Sequence, residues 1–238
     1  ELRAFLDGLA DRDDVRALVV TGEGRAFCSG GDVEGIIGEL FARDARGLLA
    51  FTRATGALIG ALRRLRKPIV AAVNGVAVGA GAVIALACDV RIASADAKIA
   101  FLFPRVGLCG ADMGAAYLLP RVVGLGRASE LLFTGDTLAA DEALRMGLFN
   151  RVVPTAECLP AAHSLASRLA RGPAFAHAMT KQMLESEPTM TLEQALEAEA
   201  QAQAICMQHP DFRAAFEAWK ARRSVRFDGA PGDFDPGP

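Results

Sequence analysis

The chain has 238 residues, of which 52% are hydrophobic, and a formal net charge of −2. This length fits one domain with at most a small appended subdomain, and the composition supplies enough apolar surface for a sizeable core. The small net charge gives no electrostatic reason to expect a nucleic acid or an anionic membrane as a partner. The five cysteines are irregularly spaced, which disfavours a disulfide framework and a metal site and indicates reduced thiols in a cytoplasmic protein.

Short β-branched runs alternate with longer periodic segments in the first half of the chain. Strands are predicted at 15–21, 69–73, 90–94 and 98–103, and helices at 1–9, 33–65 (with a polar interruption at 43–46), 82–87 and 113–119. The longest apolar run spans 69–87, but Asn74 and several glycines interrupt it. It is therefore interpreted as a buried strand, turn and helix rather than a membrane span.

From Gly124 onward the predicted pattern is helical throughout. Its periodic segments are 141–148, 159–171 and 192–208. We expect an α/β core over 1–153 and a helical C-terminal subdomain over 154–238 that serves oligomerisation. Apolar and Ala-rich positions from 192 to 207 favour an interface, because an exposed apolar stripe of this size is costly in a monomer. The Gly-, Pro- and Asp-rich tail from Asp228 is expected to be mobile.

Two glycine loops each follow a buried strand and lead toward a helix: C-S-G-G-D at 28–32 and G-A-G at 79–81. Glycine leaves the peptide N–H of Gly31 unobstructed, and a helix start at Ala80 offers unpaired N–H groups to negative charge. Two N–H groups that converge on one point form an oxyanion hole. The alternative is that these glycines only permit tight strand-to-helix turns. Neither loop is a Walker A or G-x-G-x-x-G sequence, so nucleotide binding by those routes is disfavoured.

Taken together, several stretches resemble the crotonase superfamily, the enoyl-CoA hydratase/isomerase family. They are VRALVVTGEGRAFCSGGD, KPIVAAVNGVAVGAGAVIALACDVRIASADAKIAF, RVGLCGADMGAAYLLPRVVGLGRASELLFTGD and LAADEALRMGLFNRVVP, within a resemblance that covers residues 15–227. The resemblance implies a spiral of ββα units, an acyl-CoA thioester as substrate and a homotrimer or dimer of trimers. It implies no cofactor besides the coenzyme A of the substrate. Family members normally complete a β-hairpin before the point where this chain begins, so that hairpin is expected to be missing.

The resemblance also assigns residues to the site. The catalytic N–H groups would be those of Gly31 and Ala80, and the implied substrate-binding positions are Arg25, Ala26, Ser29, Gly30, Asp32, Gly79 and Arg105. Typical hydratases have two catalytic Glu residues, but the corresponding positions here are Val83 and Arg105, which puts water addition by the usual arrangement in doubt. One acidic residue, Asp112, does occupy a family catalytic position, and it is the third catalytic candidate.

Several of these residues have a second interpretation. Asp112 could be the N-cap of the helix predicted to start at Met113, and the two roles are compatible. Glu34 could reach the pocket, although an exposed helical Glu is the plainer interpretation. Cys109 is interpreted as a buried thiol, because no His is placed to activate it. Surface, packing, turn or cap roles are expected for His163, His177, His209, Asp89 and Asp96, and a solvated helix face for Lys220, Arg222 and Arg223.

The first functional hypothesis is an enzyme that acts on an α,β- or β,γ-unsaturated acyl-CoA as a hydratase or a double-bond isomerase, without a metal or redox cofactor. The absence of both Glu residues favours isomerisation, with Asp112 moving the proton. A second hypothesis is a non-catalytic acyl-CoA-binding homologue. A third is a CoA-thioester hydrolase or a ring-modifying enzyme of aromatic catabolism.

Overall fold

The computed structural model describes residues 1–227, without the side chains of Val33 and Glu34. The predictions for Glu34 and for the tail from Asp228 lie outside this described part. The strands are β1 (Leu18–Thr21), β2 (Ala26–Cys28), β3 (Ile69–Val73), β4 (Val76–Val78), β5 (Val90–Ser94), β6 (Lys98–Ala100), β7 (Leu138–Ala139) and β8 (Arg151–Val153). The α-helices are α1 (Leu2–Gly8), α2 (Gly38–Leu40), α3 (Ala45–Arg64), α4 (Ala80–Ala87), α5 (Ala115–Val123), α6 (Leu125–Thr134), α7 (Ala140–Arg145), α8 (Cys158–Arg171), α9 (Ala174–Ser186), α10 (Leu192–Gln208) and α11 (Pro210–Lys220). Within residues 1–227, no helix combines the length and the apolar character needed to cross a membrane.

The described strands form two sheets, in the orders β1-β3-β5-β8 and β2-β4-β6-β7. Neighbouring strands are parallel except for β6 and β7, which are antiparallel. The consecutive pairs β1/β2, β3/β4 and β5/β6 are each divided between the two sheets, and a helix follows each pair. This repetition is the spiral of ββα units, so the predicted α/β fold class is confirmed.

Strand β3 lies inside the protein and is covered on both faces. Ile69, Ala71 and Val73 belong to the main apolar cluster, whereas Val70 and Ala72 pack with residues of α8. A strand buried on both faces has a continuous apolar sequence instead of an alternating one, which explains the run IVAAV. Because α8 covers the first sheet, the predicted C-terminal part contributes to this core. The predicted domain division remains a prediction.

The structure corrects the predicted elements in several places. The chain after Gly124 is not helical throughout, because β7 and β8 lie between its helices, and β2 and β4 were also not predicted. These four strands are only two or three residues long, so they carry no recognisable period and are formed by pairing with distant strands.

Pro120, expected to end a helix, lies inside α5. The carbonyl that it leaves without a helical partner belongs to Ala116, an exposed residue where water can bind it.

Asp89 is more than the predicted turn residue, since it joins the core to α9. Its Oδ2 accepts hydrogen bonds from the Ile69 N–H and from Lys181 Nζ, both at 2.8 Å. Lys181 is buried, and its Nζ also donates to the carbonyl of Lys67 at 3.1 Å. Burial lowers the pKa of Lys181, while the Asp89 carboxylate opposes this shift. A buried ammonium that lacked this carboxylate would be strongly destabilising, so the pair fixes α9 against β3.

The junction between α8 and α9 is built around Gly172. Arg16 Nη2 donates a hydrogen bond to the Gly172 carbonyl at 2.8 Å. A Cβ on Gly172 would lie 2.5 Å from His177 Cε1, so the imidazole packs directly against this glycine. Burial and, secondarily, the positive charge of Arg16 lower the pKa of His177 below 6.5. The interpretation of His177 as a packing residue fits this position.

We expect acidification to destabilise the protein through His177. Because the pKa of His177 is lower in the folded state than in the unfolded chain, the unfolded state binds more protons as the pH falls below 6.5. The free energy of unfolding should therefore fall as the pH is lowered from about 6.5 through the folded-state pKa. Urea unfolding across this range should show a weaker pH dependence for His177→Gln than for the wild type. His163→Gln, which removes an exposed imidazole from α8, is the control. Equal pH dependence in the wild type and His177→Gln would contradict this assignment.

Candidate active site

The two glycine loops lie side by side at one edge of the second sheet. They follow the neighbouring parallel strands β2 and β4, in which Cys28 is paired with Ala77. Gly30 has a φ of 94°, and a Cβ there would lie 3.2 Å from the carbonyl oxygen of Val78. A Cβ on Gly79 would lie 4.0 Å from the Cα of Gly30. The structure thus brings the two loops together, as an oxyanion hole requires.

Gly81 allows the start of α4 to pack against the end of β2. A Cβ at this position would lie 2.2 Å from the carbonyl oxygen of Cys28 and 2.7 Å from its Cβ. Contacts this short with the backbone cannot be relieved by a side-chain rotation. The second glycine of G-A-G is therefore required by the close approach of helix and strand, and this approach sets where Ala80 lies relative to the first loop.

The start of α4 presents backbone donors to the space beside the first loop. Gly79 is the N-cap, with a φ of 55°, and its own N–H donates to the Ala100 carbonyl of β6 at 2.9 Å. The Val83 N–H donates to the carbonyl of Gly79, so the N–H of Ala80 precedes the helical hydrogen bonds. Among the described residues, the N–H groups of Ala80 and Gly31 donate to no other group. Their roles as oxyanion donors remain predictions with a consistent geometry.

The opposite end of α4 is fixed by a buried arginine. Arg91 donates to the carbonyl oxygens of Cys88 at 2.6 Å, Leu86 at 3.3 Å and Leu148 at 2.7 Å. A cation at a helix C-terminus complements the helix dipole and satisfies its last carbonyls. Burial lowers the pKa of Arg91 and raises the pKa of the neighbouring Cys88 thiol to about 12, so Cys88 is inert at neutral pH. Both ends of α4 are therefore held in place by side-chain or backbone contacts.

Asp112 is half-buried in the turn that leads into α5. The helix begins at Ala115 and its N-cap is Gly114, so the interpretation of Asp112 as the N-cap of a helix starting at Met113 is wrong. Asp112 Oδ1 instead accepts a hydrogen bond from the adjacent Met113 N–H at 2.9 Å. Because α5 packs against α4, this turn belongs to the same region of the fold as the helix that starts at Ala80. The catalytic role of Asp112 remains a prediction.

The two positions that carry Glu in typical hydratases have no acid function here. Val83 is fully buried in α4. Arg105 lies in a short helical turn, Phe103–Val106, and its guanidinium is paired with Asp136 Oδ1 at 2.5 Å. It lines a cavity of about 430 Å³ together with Glu130 and Asp136. This pairing directs Arg105 toward the end of α6, and its proposed contact with substrate remains a prediction.

The remaining substrate-binding candidates lie along the first loop. Ala26 begins β2, and Arg25, Ser29 and Asp32 are exposed. Asp32 also has a local structural role, because its Oδ1 accepts from the Gly35 N–H at 3.0 Å at the start of the turn Val33–Ile37. Exposure leaves these residues accessible to a ligand, and their binding roles remain predictions.

Cys109 differs from its prediction, and Met113 has a conformation that the sequence does not predict. Cys109 is exposed rather than buried, because its loop passes over the surface before α5. Met113 has a φ of 51°, in the left-handed region that disfavours side chains. In the sequence, Gly114 is a weak indication of a turn after Asp112. Nothing indicates that the methionine before it also has a positive φ, since turn positions of that kind usually hold Gly, Asn or Asp.

Comparison with known proteins supports the assignment made from the residues. The family described as enoyl-CoA hydratase/isomerase matches residues 1–230. The 1,2-epoxyphenylacetyl-CoA isomerase of Escherichia coli K12 is 37% identical, over 92% of this chain and 84% of that protein. The crotonyl-CoA hydratase of Syntrophomonas wolfei is 34% identical, over 95% of this chain and 86% of that protein.

Solved structures agree. A crystal structure from Streptomyces coelicolor A3(2) has a TM-score of 0.93 and 50% identity, covering 96% of this chain and 83% of the other. The crystal structure of the enoyl-CoA hydratase of Bacillus anthracis has a TM-score of 0.90 and 28% identity, and the match covers 96% of this chain and 87% of that chain. The chain belongs to the enoyl-CoA hydratase/isomerase family.

Proposed function

We propose that the protein is an acyl-CoA hydratase/isomerase whose main reaction is double-bond isomerisation of a β,γ-unsaturated acyl-CoA. The observation that supports isomerisation is the distribution of acid groups: Asp112 is the carboxylate at a family catalytic position, while Val83 and Arg105 occupy the other two. Among the described residues, Oδ2 of Asp112 has no hydrogen-bond partner, so this oxygen is available to take a proton. A single carboxylate is sufficient for moving a proton between two carbons.

In the proposed mechanism, the thioester carbonyl oxygen accepts hydrogen bonds from the N–H groups of Gly31 and Ala80. Asp112 removes a proton from the α-carbon, and the electron pair of that C–H bond passes into a dienolate whose negative charge rests on the thioester oxygen. The two donors stabilise this charge. Asp112 then returns the proton to the γ-carbon, so the double bond moves into conjugation and the carboxylate is regenerated. The reaction is redox-neutral and needs no metal or redox cofactor.

Hydration makes an additional demand that this site meets poorly. Water must be deprotonated as it attacks the β-carbon, while a proton is delivered to the α-carbon. The buried hydrocarbon of Val83 can do neither, and the guanidinium of Arg105 is already paired with Asp136. We therefore expect hydration to be the slower activity.

A substrate panel tests the proposal. Turnover of trans-3-hexenoyl-CoA to the conjugated isomer should be faster than hydration of crotonyl-CoA, and neither assay should release free thiol. Faster hydration would overturn isomerisation as the main reaction, and thiol release would favour a thioester hydrolase. Binding of both esters without turnover would instead indicate a non-catalytic acyl-CoA-binding protein.

We also propose a homotrimer or a dimer of trimers in the cytoplasm. Helix α10 carries exposed large apolar side chains that a monomer would leave in water: Leu192, Leu196, Ile205 and Met207. All five cysteines are free thiols, which is consistent with a reducing compartment. Light scattering coupled to gel filtration should give a mass of three or six chains, and a monomeric mass would contradict the proposal.

A further inference from the structure

The four residues Asp112–Ala115 form a tight turn at the entrance to α5. The Ala115 N–H donates to the carbonyl of Asp112 at 2.8 Å, which closes the turn. Its two central residues, Met113 and Gly114, have φ values of 51° and 88°. Positive φ at both central positions is the mark of a type I′ turn, which favours Gly, Asn and Asp because a Cβ is disfavoured there.

Methionine is therefore an unexpected residue at the first central position. Within residues 1–227, Met113 and Arg222 are the non-glycine residues with positive φ. Met113 is only 8% exposed and belongs to the main apolar cluster, which also contains Ile59 and Val83. An unfavourable backbone conformation persists only where its surroundings impose it. Here the buried side chain anchors the turn to the core, and Gly114 supplies the second positive φ.

We propose that Met113 and Gly114 form a positioning turn that holds the Asp112 carboxylate in its reactive orientation. The turn directs the Met113 N–H at Asp112 Oδ1, at 2.9 Å, and leaves Oδ2 without a described partner. One oxygen is thus held by the backbone while the other takes the proton. This inference rests on the proposed catalytic role of Asp112. It makes Met113 a positioning residue, because its side chain acts on the reaction through Asp112.

Gly114→Ala tests the turn without changing the core. A Cβ at position 114 would meet only Ile59 Cγ2, at 3.9 Å, so there is space for it but the φ of 88° becomes strained. We expect kcat on trans-3-hexenoyl-CoA to fall on the order of 10- to 100-fold, with KM unchanged, because a displaced base slows chemistry more than binding. Gly124→Ala is the matched control. It has a φ of 83° with open space around it, lies at the other end of α5, and should retain the wild-type kcat.

Substitutions of Met113 separate anchoring from strain. Met113→Leu keeps a buried apolar anchor and should retain most of kcat. Met113→Gly removes the buried side chain and also relieves the backbone strain of the positive φ. It should lower kcat with KM unchanged. In an Asp112→Asn background, both Gly114→Ala and Met113→Gly should cause no further loss, since residues that act through one group are not additive. Melting temperatures of all variants report whether the fold is retained.

The outcomes distinguish this inference from the proposed function. Retained activity in Asp112→Asn would overturn both the positioning turn and the proposed catalytic role of Asp112. A large loss in Asp112→Asn, together with equal kcat in Gly114→Ala and Gly124→Ala, would overturn the positioning turn and leave the proposed function standing. A loss of kcat in Met113→Leu as large as that in Met113→Gly, or full additivity in the Asp112→Asn background, would also overturn it.

Discussion

Replacing Asp112 with Asn should lower kcat for the isomerisation of trans-3-hexenoyl-CoA by roughly 100- to 10,000-fold, the usual contribution of a positioned general base. The amide has nearly the shape of the carboxylate and keeps an oxygen that can accept from the Met113 N–H. It cannot take up a proton, however. KM should change little, because the proposed oxyanion donors and the first loop remain intact. Steady-state kinetics with purified variants measures both parameters.

The control for this substitution is Asp141→Asn. Asp141 is an exposed carboxylate on α7 that pairs with Arg145 at 2.7 Å, so its loss removes the same charge from the protein at the surface. Asp141→Asn should keep the wild-type kcat. If Asp112→Asn were as active as Asp141→Asn, the proton would be carried by another group and the proposed mechanism would be wrong.

Replacing Gly81 with Ala should impair both the fold and the reaction. The new Cβ would lie 2.2 Å from the Cys28 carbonyl oxygen, so β2 and α4 must move apart. Overpacking of this kind typically costs about 1–3 kcal/mol of stability. The movement would also separate the proposed oxyanion donors of Ala80 and Gly31, and loss of one such donor typically reduces kcat on the order of 100- to 1,000-fold. Urea unfolding and steady-state kinetics should therefore both show the defect.

Gly126→Ala is the matched control for this second substitution. Gly126 is also the second residue of an α-helix, but nothing lies within 4 Å of a Cβ built on it. The added methyl group should leave kcat unchanged and stability equal or slightly higher, since alanine restricts the unfolded chain. A Gly81→Ala variant with the stability and activity of Gly126→Ala would show that β2 and α4 do not need this close contact.

The fold can be predicted from the sequence in two kinds of segment: those whose residue pattern is itself typical of a strand or turn, and those that resemble the crotonase superfamily. Strand β3 is apolar along its length because both of its faces are covered, and the run IVAAV predicts such a strand even when its partners are not known. The loops around Gly31 and Ala80 can be predicted because glycines after a buried strand let the backbone turn and leave peptide N–H groups unobstructed. The assignment of Asp112 came from the family resemblance, since a lone acid before a helix has no distinguishing local pattern.

The features that were not predicted depend on distant parts of the chain. Strands β2, β4, β7 and β8 are too short to show a period and exist because a neighbouring strand pairs with them. The sequence predicts only a turn or cap role for Asp89, because its partner Lys181 lies 92 positions away. The left-handed conformation of Met113 is imposed by core packing against its own preference, and no local rule predicts a methionine there.

The division of the proposed site between backbone and side chains has an evolutionary consequence. The proposed oxyanion hole consists of peptide N–H groups, which every substitution except proline preserves. The placement of these groups depends on glycines that tolerate little change. The proposed acid–base part is instead a side chain, Asp112, and the two positions at which typical hydratases have Glu hold Val83 and Arg105. If the proposed site is correct, we expect single-residue exchanges at positions 83, 105 and 112 to change the reaction while the proposed activation of the thioester by the backbone is kept. A scaffold organised in this way can diverge in chemistry without first losing its ability to stabilise the enolate.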